Sequence, residues 1–549
     1  MAGVLTAPYA ASARLFLHGF GVVIVGVLVA LATDVALDLL TPAKLAFVLG
    51  GVALLIPTVA LKDARAYWLF LLVLSIPFDI TKWLSVGIVD SQSLVDKYGE
   101  PMSGTTGLEV YLTDVVLAVM LLPWAARVCL RREAIYFPKF GYLFVFYLLW
   151  AIIISLVNAE SFYLSIFELF RQSLYFLSFV YLINNVSTRR QFQNVVWAIM
   201  LGLVISAGSV IVFFERGVGT DTVAFAGLHD QPPKTRFDTL TLNNSGHSLG
   251  SVDGPNEADI KRSQGMFRHP AIAAGLCGLV LPIVLARLVT AQRNSDRILF
   301  FLVFVWGFVA LLLTFSRAGF IGFMAGALVF ISVGRWSGFV SRRLAALCGI
   351  ASTLLVALSL PLLLTYFQAR SDTFFMRFYM FEAVIEGYAQ HPILGVGLNN
   401  STAAMKEGKQ ELTDIGIPAA PKEPADSYYL AILTEVGPVG SILFFGFFAN
   451  VVVVALRLVR EVSMEMRPLL VGMVAGLAAL ATQSIADGPL AGHAVSGTLW
   501  LFAALIVVIG RFNRAEPRPV PAGEERALVQ LETKSDPPYS RPDPRAVNP

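Results

Sequence analysis

Two arginines stand within or beside long apolar segments, where a positive charge is costly. Arg171 lies inside the apolar run 162–182, and Arg317 lies in the short segment 314–319 between two apolar stretches. Lipid does not solvate a charge, so such a side chain faces a cavity or a partner. Arg171 is either functional or paired with Glu168, three residues earlier on the same helix face. Arg317 either points into a vestibule at the end of the bundle or extends to lipid headgroups.

Further arginines flank the two longest polar connections of the chain. Arg262 and Arg268 precede one apolar stretch, and Arg370 and Arg377 follow another. A guanidinium group binds two phosphate oxygens at once, so arginines at the mouth of a bundle suit phosphate binding. Anchoring at the membrane interface is the alternative for Arg262 and Arg268. Recurrent arginines without a metal motif favour stabilisation of a polyanion, such as a pyrophosphate leaving group.

Carboxylates and an aromatic hydroxyl supply the remaining candidates. Asp426 and Tyr429 stand at a membrane edge, where a carboxylate and a phenol suit contact with a sugar. Asp487 follows an apolar stretch and has a helix-end turn as its alternative role. Glu435 falls two turns into a predicted helix, where it could be a structural pair. His391 precedes a proline, and a histidine in this position is more often a turn residue than a catalytic base.

Signatures of soluble enzymes are absent from the sequence. It contains no phosphate loop, Rossmann fingerprint, paired-histidine zinc motif or nucleophile elbow. The cysteines Cys129, Cys277 and Cys348 each lie in an apolar stretch, which predicts neither a disulfide framework nor a metal cluster. We therefore expect no metal and no cofactor.

The composition is that of a membrane protein. Of the 549 residues, 56% are hydrophobic and only 14% are charged, so lipid must cover much of the surface. The net charge is +3 and most basic residues fall in short connections, which argues against nucleic-acid binding.

The apolar pattern predicts an all-α polytopic membrane protein with about fourteen transmembrane helices, since one span needs about 20 residues. The first run lacks a small-residue cleavage site and is interpreted as a retained helix. The third helix is short and contains Pro77. The predicted helices are 15–33, 44–61, 66–80, 108–130, 139–158, 161–185, 193–215, 270–291, 297–315, 318–334, 344–366, 428–457, 468–486 and 494–511.

The distribution of lysine and arginine predicts the orientation. Basic residues recur in every second connection, which is the pattern of cytoplasmic loops. The chain is therefore expected in the bacterial inner membrane with both termini cytoplasmic. The connections that carry this signal contain Lys62 and Arg65, Arg127 to Arg132, Arg189 and Arg190, Arg287 to Arg297, Arg335 to Arg343, and Arg457 to Arg467.

Two large periplasmic loops divide the predicted chain. Within the second loop, the apolar spacing of 374–389 is typical of an amphipathic helix at a membrane surface. The predicted parts are N-terminal transmembrane helices 1–215, loop 216–269, transmembrane helices 270–366, loop 367–427, transmembrane helices 428–511 and a disordered cytoplasmic tail 512–549.

The motifs of the second half resemble a known superfamily. The order and spacing over roughly 265–455 resemble the O-antigen ligases and O-antigen-type polysaccharide polymerases, which are multi-pass glycosyltransferases of the GT-C type. The helix count and the loop before Tyr429 agree with this family. The resemblance rests on Ser316-Arg317-Ala318-Gly319, on Arg377 with its aromatic neighbours, on His391-Pro392 to Gly397, and on Tyr429-Leu430 through Glu435-Val436-Gly437 to Gly440.

The resemblance implies transfer of a glycan from undecaprenyl pyrophosphate outside the inner membrane, without a nucleotide sugar and without a metal. Arg317 and Arg377 match family arginines that neutralise the pyrophosphate. Arg262 or Arg268 matches an upstream arginine, and Asp487 loosely matches a late acidic position. The implied partners are the lipid-linked oligosaccharide donor, a glycan acceptor and membrane lipids, with a chain-length regulator and a flippase as candidate proteins.

One position departs from the ligase pattern. Ligases commonly carry a His-Asn pair before the Tyr-Leu of this helix, and this chain has Asp426 and Ser427 there. A carboxylate can still accept a proton from an attacking hydroxyl. We therefore favour a polymerase of exopolysaccharide or O-antigen repeat units over a ligase that acts on lipid A core or another acceptor. A flippase or transporter ranks third, because no internal repeat is visible, and a membrane scaffold ranks last.

Overall fold

A computed structural model describes residues 64–78, 81–84, 107–130, 133–216, 263–267, 269–341, 371–402 and 427–515. The predicted helices 15–33, 44–61 and 344–366 lie outside these ranges. Most of the predicted loop 216–269 lies outside them as well, as do residues 367–370 and 403–426 of the second predicted loop and the tail from residue 516.

Twelve helices and one ribbon make up the described chain. In chain order the helices are α1 Ala64–Ser75, α2 Leu112–Cys129, α3 Gly141–Asn158, α4 Phe162–Asn185, α5 Arg189–Arg216, α6 Pro270–Thr290, α7 Asn294–Leu313, α8 Arg317–Trp336, α9 Ser371–Gln390, α10 Tyr428–Leu458, α11 Arg467–Gln483 and α12 His493–Ala515. The strands are β1 Thr81–Leu84 and β2 Leu108–Tyr111, and a short 3₁₀ helix covers Pro489–Ala491.

Most of these helices are long and apolar enough to cross a membrane. Within the described ranges nine helices qualify, and α1 and α11 are shorter apolar helices. The predicted class, an all-α polytopic membrane protein, is therefore confirmed. The number fourteen stays a prediction.

Two predicted boundaries are wrong near the ribbon. Leu108–Tyr111, assigned to helix 108–130, pairs antiparallel with Thr81–Leu84, and α2 begins only at Leu112. Its sequence Leu-Glu-Val-Tyr alternates apolar and polar residues, a strand pattern that a search for apolar runs overlooks. The helix predicted over 66–80 ends at Ser75, two residues before Pro77, because a proline disfavours helical geometry in the residue before it.

The last helix forms the centre of the bundle. Among the described spans, α12 is buried from residue 493 to residue 510, and it packs against α4, α6 and α10. A cluster of rings from Phe144, Phe176, Phe447 and Trp500 joins α3, α4 and α10 to α12.

Small residues allow α8 to approach α11 closely. A Cβ atom on Gly322 of α8 would lie 2.5 Å from the carbonyl oxygen of Ala479 on α11. Helices in a bilayer gain packing energy from such close backbone contact, because lipid supplies no hydrophobic driving force between them. The pair α8 and α11 therefore holds the short turns at its ends in fixed positions.

Candidate functional site

The turn between α7 and α8 places Arg317 next to an acidic turn. Ser316 caps α8, its Oγ accepting a hydrogen bond from the Gly319 N–H at 3.1 Å. The same hydroxyl donates to Oδ2 of Asp487 at 3.3 Å, although the two residues are 171 positions apart. Asp487 is buried and Arg317 is half-buried. Two candidates chosen separately from the sequence therefore meet here, because Asp487 contacts Ser316 and Arg317 is the next residue.

Asp487 also has the alternative role considered for it. Its Oδ1 accepts a hydrogen bond from the N–H of Gly488 at 3.1 Å, in the turn that follows α11. One carboxylate oxygen thus stabilises the helix-end turn while the other faces Ser316.

The start of α10 meets the same turn. The N–H of Tyr428 donates to the carbonyl of Ser484 at 3.1 Å. Tyr429, the candidate for substrate contact, donates its hydroxyl to the carbonyl of Ala481 at 2.9 Å. Its ring packs against Phe445, so the hydroxyl already has a backbone partner. Asp426 stands two residues before Tyr428 in the sequence and lies outside the described residues.

The remaining candidate arginines are placed only in part. Arg377 lies on α9, whose backbone is described, and this helix confirms that the segment 374–389 is helical. Its position at a membrane surface stays a prediction. Arg262, Arg268 and Arg370 lie outside the described part of the chain.

Arg171 is buried and paired, but not with Glu168. Its guanidinium forms an ion pair with Asp114 at 2.8 Å and donates to the carbonyl of Glu109. The ring of Tyr111 lies 4.2 Å from the guanidinium carbon. The alternative of a pair between Arg171 and Glu168 is wrong, because α2 and the ribbon provide closer acceptors.

The residues Glu109, Tyr111 and Asp114 were missed in the sequence, although an acidic residue at an apolar helix start is a usable signal. Gln172 takes the place expected for Arg171, since its Nε2 donates to Oε1 of Glu168 at 2.8 Å. The charge of Arg171 is therefore compensated by Asp114 of α2, which lies 57 residues earlier in the sequence.

His493, at the first residue of α12, was also missed. Its ring stacks on Tyr111 with 4.0 Å between centroids, and its Nδ1 lies 3.0 Å from the hydroxyl of Tyr175. No sequence motif surrounds His493. Its contacts join β2, α4 and α12 at the end of the bundle that holds Asp487.

The glycine-rich turn after α9 breaks α10. Gly437 inside α10 has φ 64° and ψ −175°, which interrupts the helix. The N–H groups of Val396 and Gly397 donate to the carbonyls of Thr434 and Glu435, both at 2.9 Å. Backbone carbonyls released by the kink thus find partners in the turn. His391 lies in this turn, as the following proline predicts.

Glu435 is buried beside the kink. The backbone N–H groups of Asn399 and Ser401 donate to its carboxylate. Trp150 of α3 donates its indole N–H to the carbonyl of Val436 at 2.9 Å. The carboxylate of Glu435 therefore holds the segment after the glycine turn.

The helices and the joined turns define a multi-pass membrane protein whose shared polar contacts lie at one end of the bundle. Residues 302–445 match the family model described as O-antigen ligase. The matched segment contains Ser316-Arg317, the glycine turn and the kink at Gly437. The match confirms the resemblance to the O-antigen ligase and polymerase superfamily and supports a function of that type in polysaccharide assembly. Among curated proteins, a search finds no match to the chain.

Proposed function

We propose that the chain is a glycosyltransferase of the bacterial inner membrane that polymerises lipid-linked repeat units. The observation that carries this proposal is the contact between Ser316 and Asp487, which joins the matched Ser316-Arg317 motif to the acidic turn that follows α11. The donor is a glycan on undecaprenyl pyrophosphate, and the acceptor is the hydroxyl of a second lipid-linked glycan.

The transfer step needs a base and a cationic site for the leaving group. The acceptor oxygen forms a bond to the anomeric carbon of the donor while the bond from that carbon to the pyrophosphate oxygen breaks. Asp426 takes the proton of the acceptor hydroxyl, since a carboxylate can act as general base. Arg317 and Arg377 stabilise the negative charge that develops on the pyrophosphate.

The other candidates bind substrate around this centre. Arg262, Arg268 and Arg370 contact phosphate or lipid headgroups at the mouth of the bundle. Lysine and arginine in alternate connections support a periplasmic position for this end, with both termini cytoplasmic. The two loops 216–269 and 367–427 are then on the same side of the membrane as this end. A flippase and a chain-length regulator would act before and during chain growth.

The pair Asp426 and Ser427 favours a polymerase over a ligase. A ligase of this family commonly has histidine and asparagine at these positions, and this chain has aspartate and serine. Ser427 is the residue directly before α10. Ligation of a finished glycan to lipid A core or another acceptor is the second candidate, since the match to residues 302–445 fits both activities.

A deletion strain separates the two activities. We expect it to accumulate single lipid-linked repeat units, detected by thin-layer chromatography and mass spectrometry of extracted lipids. Wild-type protein should restore long chains, and Asp426→Asn should not, because an amide cannot accept the acceptor's proton. Accumulation of long lipid-linked polymer that never reaches an acceptor would identify a ligase instead.

A further inference from the structure

An arginine and a tryptophan join α8 and α10 at the end of the bundle opposite to Asp487. Trp336 is the last residue of α8, about 30 Å along the helix axis from Arg317. The guanidinium carbon of Arg460 lies 4.1 Å from the centroid of the Trp336 ring, and its Nη2 donates to the carbonyl of Trp336 at 3.3 Å. Trp336 is 48% exposed, and Arg460 is exposed as well. The pair therefore presents a cation and a large apolar ring at one place on the surface.

Arg467 fixes the backbone that carries this pair. Its Nη1 donates to the carbonyl of Ser337 at 2.9 Å, and its Nη2 donates to the carbonyls of Arg460 and Val462 at 3.2 and 3.1 Å. Ser337 follows α8 and Arg460 follows α10, so one guanidinium holds the two chain segments together. The positions of Trp336 and Arg460 are therefore set before a ligand binds.

The exposed apolar faces of both helices end at this pair. On α8, Ile321 and Leu328 are exposed, and Trp336 falls on the same face because spacings of seven and fifteen residues are close to whole numbers of turns. On α10, the exposed Val453 precedes Arg460 by seven residues. Exposed apolar residues of a spanning helix lie against acyl chains, and tryptophan is enriched where acyl chains meet headgroups. The pair therefore lies at the level of the lipid headgroups.

The charge around the pair is positive. Neither Arg460 nor Arg457, one turn earlier, forms an ion pair within the described part of the chain. Glu465 pairs with Arg189 at 3.4 Å, and Glu461, which is exposed, pairs with no described arginine or lysine. Among the described residues, one of the five N–H donors of Arg460 has an acceptor. A guanidinium with free donors suits two oxygens of a phosphate.

We propose that Trp336 and Arg460 form a binding site for the headgroup of an anionic phospholipid. The lipid phosphate accepts hydrogen bonds from Arg460, the indole packs against the glycerol and the first acyl carbons, and the acyl chains follow the apolar faces of α8 and α10. A zwitterionic lipid carries its own cation, which competes with Arg460 for the phosphate, so a headgroup with net negative charge binds more tightly. No glycan takes part, so this site is independent of the proposed transfer step.

Native mass spectrometry of the full-length protein in detergent micelles tests the site. The protein is titrated with palmitoyl-oleoyl phosphatidylglycerol or with the matching phosphatidylcholine, and the affinity for the first bound lipid is measured. We expect wild type to bind phosphatidylglycerol roughly tenfold more tightly. Glycerol phosphate in large excess should not displace the lipid, because it lacks the acyl chains. Equal affinity for the two lipids, or displacement by glycerol phosphate, overturns the proposal, and displacement would identify a soluble phosphate ligand instead.

Two variants locate the binding. Arg460→Gln keeps the side-chain length and removes the charge, and it should weaken phosphatidylglycerol binding roughly tenfold while phosphatidylcholine binding stays unchanged. Trp336→Leu leaves the charge in place and removes the ring, so it should weaken binding of both lipids. It supplies the same test if Arg460→Gln fails to fold.

The matched control is Arg297→Gln. Arg297 is exposed at the same end of the bundle and likewise donates to a backbone carbonyl, that of Ala291 at 2.8 Å, but no ring of the described chain lies beneath it. This variant loses an equal charge and should bind phosphatidylglycerol as wild type does. Unchanged binding by Arg460→Gln, or an equal loss in Arg297→Gln, overturns the site.

Discussion

Arg317 occupies a position that helix stability does not explain. It is the first residue of α8, directly after the capping residue Ser316. A positive charge at a helix N-terminus is disfavoured by the helix dipole, whereas an anion is attracted there. Both the guanidinium of Arg317 and the N-terminus of α8 attract a negatively charged group. We therefore expect an anionic ligand in front of α8.

Replacing Arg317 tests this reading. We expect Arg317→Ala to lower polymer yield about a hundredfold or more, because a preorganised charge at the leaving group is lost. Arg317→Lys should restore only part of the activity, since an ammonium group lacks the two-pronged geometry of guanidinium. Polymer is measured on immunoblots or gels of the complemented deletion strain, normalised to the amount of protein in the membrane.

Arg335, exposed at the opposite end of α8, provides the control. Arg335→Ala removes an equal charge from the same helix and should leave polymer at the wild-type level. Full activity of Arg317→Ala would exclude a direct role of this guanidinium in transfer.

At this scale the sequence could identify unusual residues but not their partners. Arg171, Arg317 and Asp487 were all selected because each is a charged residue within or directly beside an apolar segment. The partner of Arg171 was misassigned, because local spacing favours Glu168 while the acceptor, Asp114, comes from a different helix. A tertiary contact of this kind depends on how α2 packs against α4, which one sequence does not encode in any short pattern.

The kink in α10 is the element that joins the glycine turn to the bundle. A Cβ atom on Gly437 would lie 2.3 Å from the carbonyl oxygen of Ile393, and the backbone there has a positive φ. Any other residue would meet both strain and a backbone clash. The kink also fixes Tyr428, two and a half turns earlier, relative to the segment that follows α9.

We expect Gly437→Ala to destabilise the protein and reduce activity. Left-handed backbone at a residue other than glycine costs on the order of 1–3 kcal/mol, and the clash with Ile393 adds to it. Thermal unfolding of the purified protein in nanodiscs measures the loss. Gly446→Ala on the same helix is the control, because its nearest neighbour, Leu143, would be 3.9 Å from the new methyl group. Equal unfolding temperatures for the two variants would contradict this account.

Most element boundaries followed from apolar runs and their end signals. The predicted helix 270–291 corresponds to Pro270–Thr290, with a proline at its first position and His269 as its cap. The ribbon was mistaken for helix because hydropathy does not separate a short strand from the start of a span. The break at Gly437 was not predicted either, since glycine and proline are common inside membrane helices.

For the molecule as a whole, the orientation is the prediction with the widest consequence. In a chain whose three cysteines are changed to serine, new cysteines at Ser245 and Lys409 should react with an impermeant maleimide in intact cells. Both positions lie outside the described residues. Arg293→Cys, in the exposed connection between α6 and α7, should react only after lysis. The reverse pattern would place the Asp487 end in the cytoplasm, where a transfer step on flipped substrates could not occur.

The enclosed position of α12 determines the order in which the helices can assemble during biosynthesis. It is the last of the described helices to leave the ribosome, yet it packs in the middle of the others. Until it docks, α4, α6 and α10 must expose to lipid, or to an insertion chaperone, the faces that later surround it. The nascent bundle is therefore open at its centre, and the pocket lined by Ser496 and Trp500 does not exist before α12 has docked.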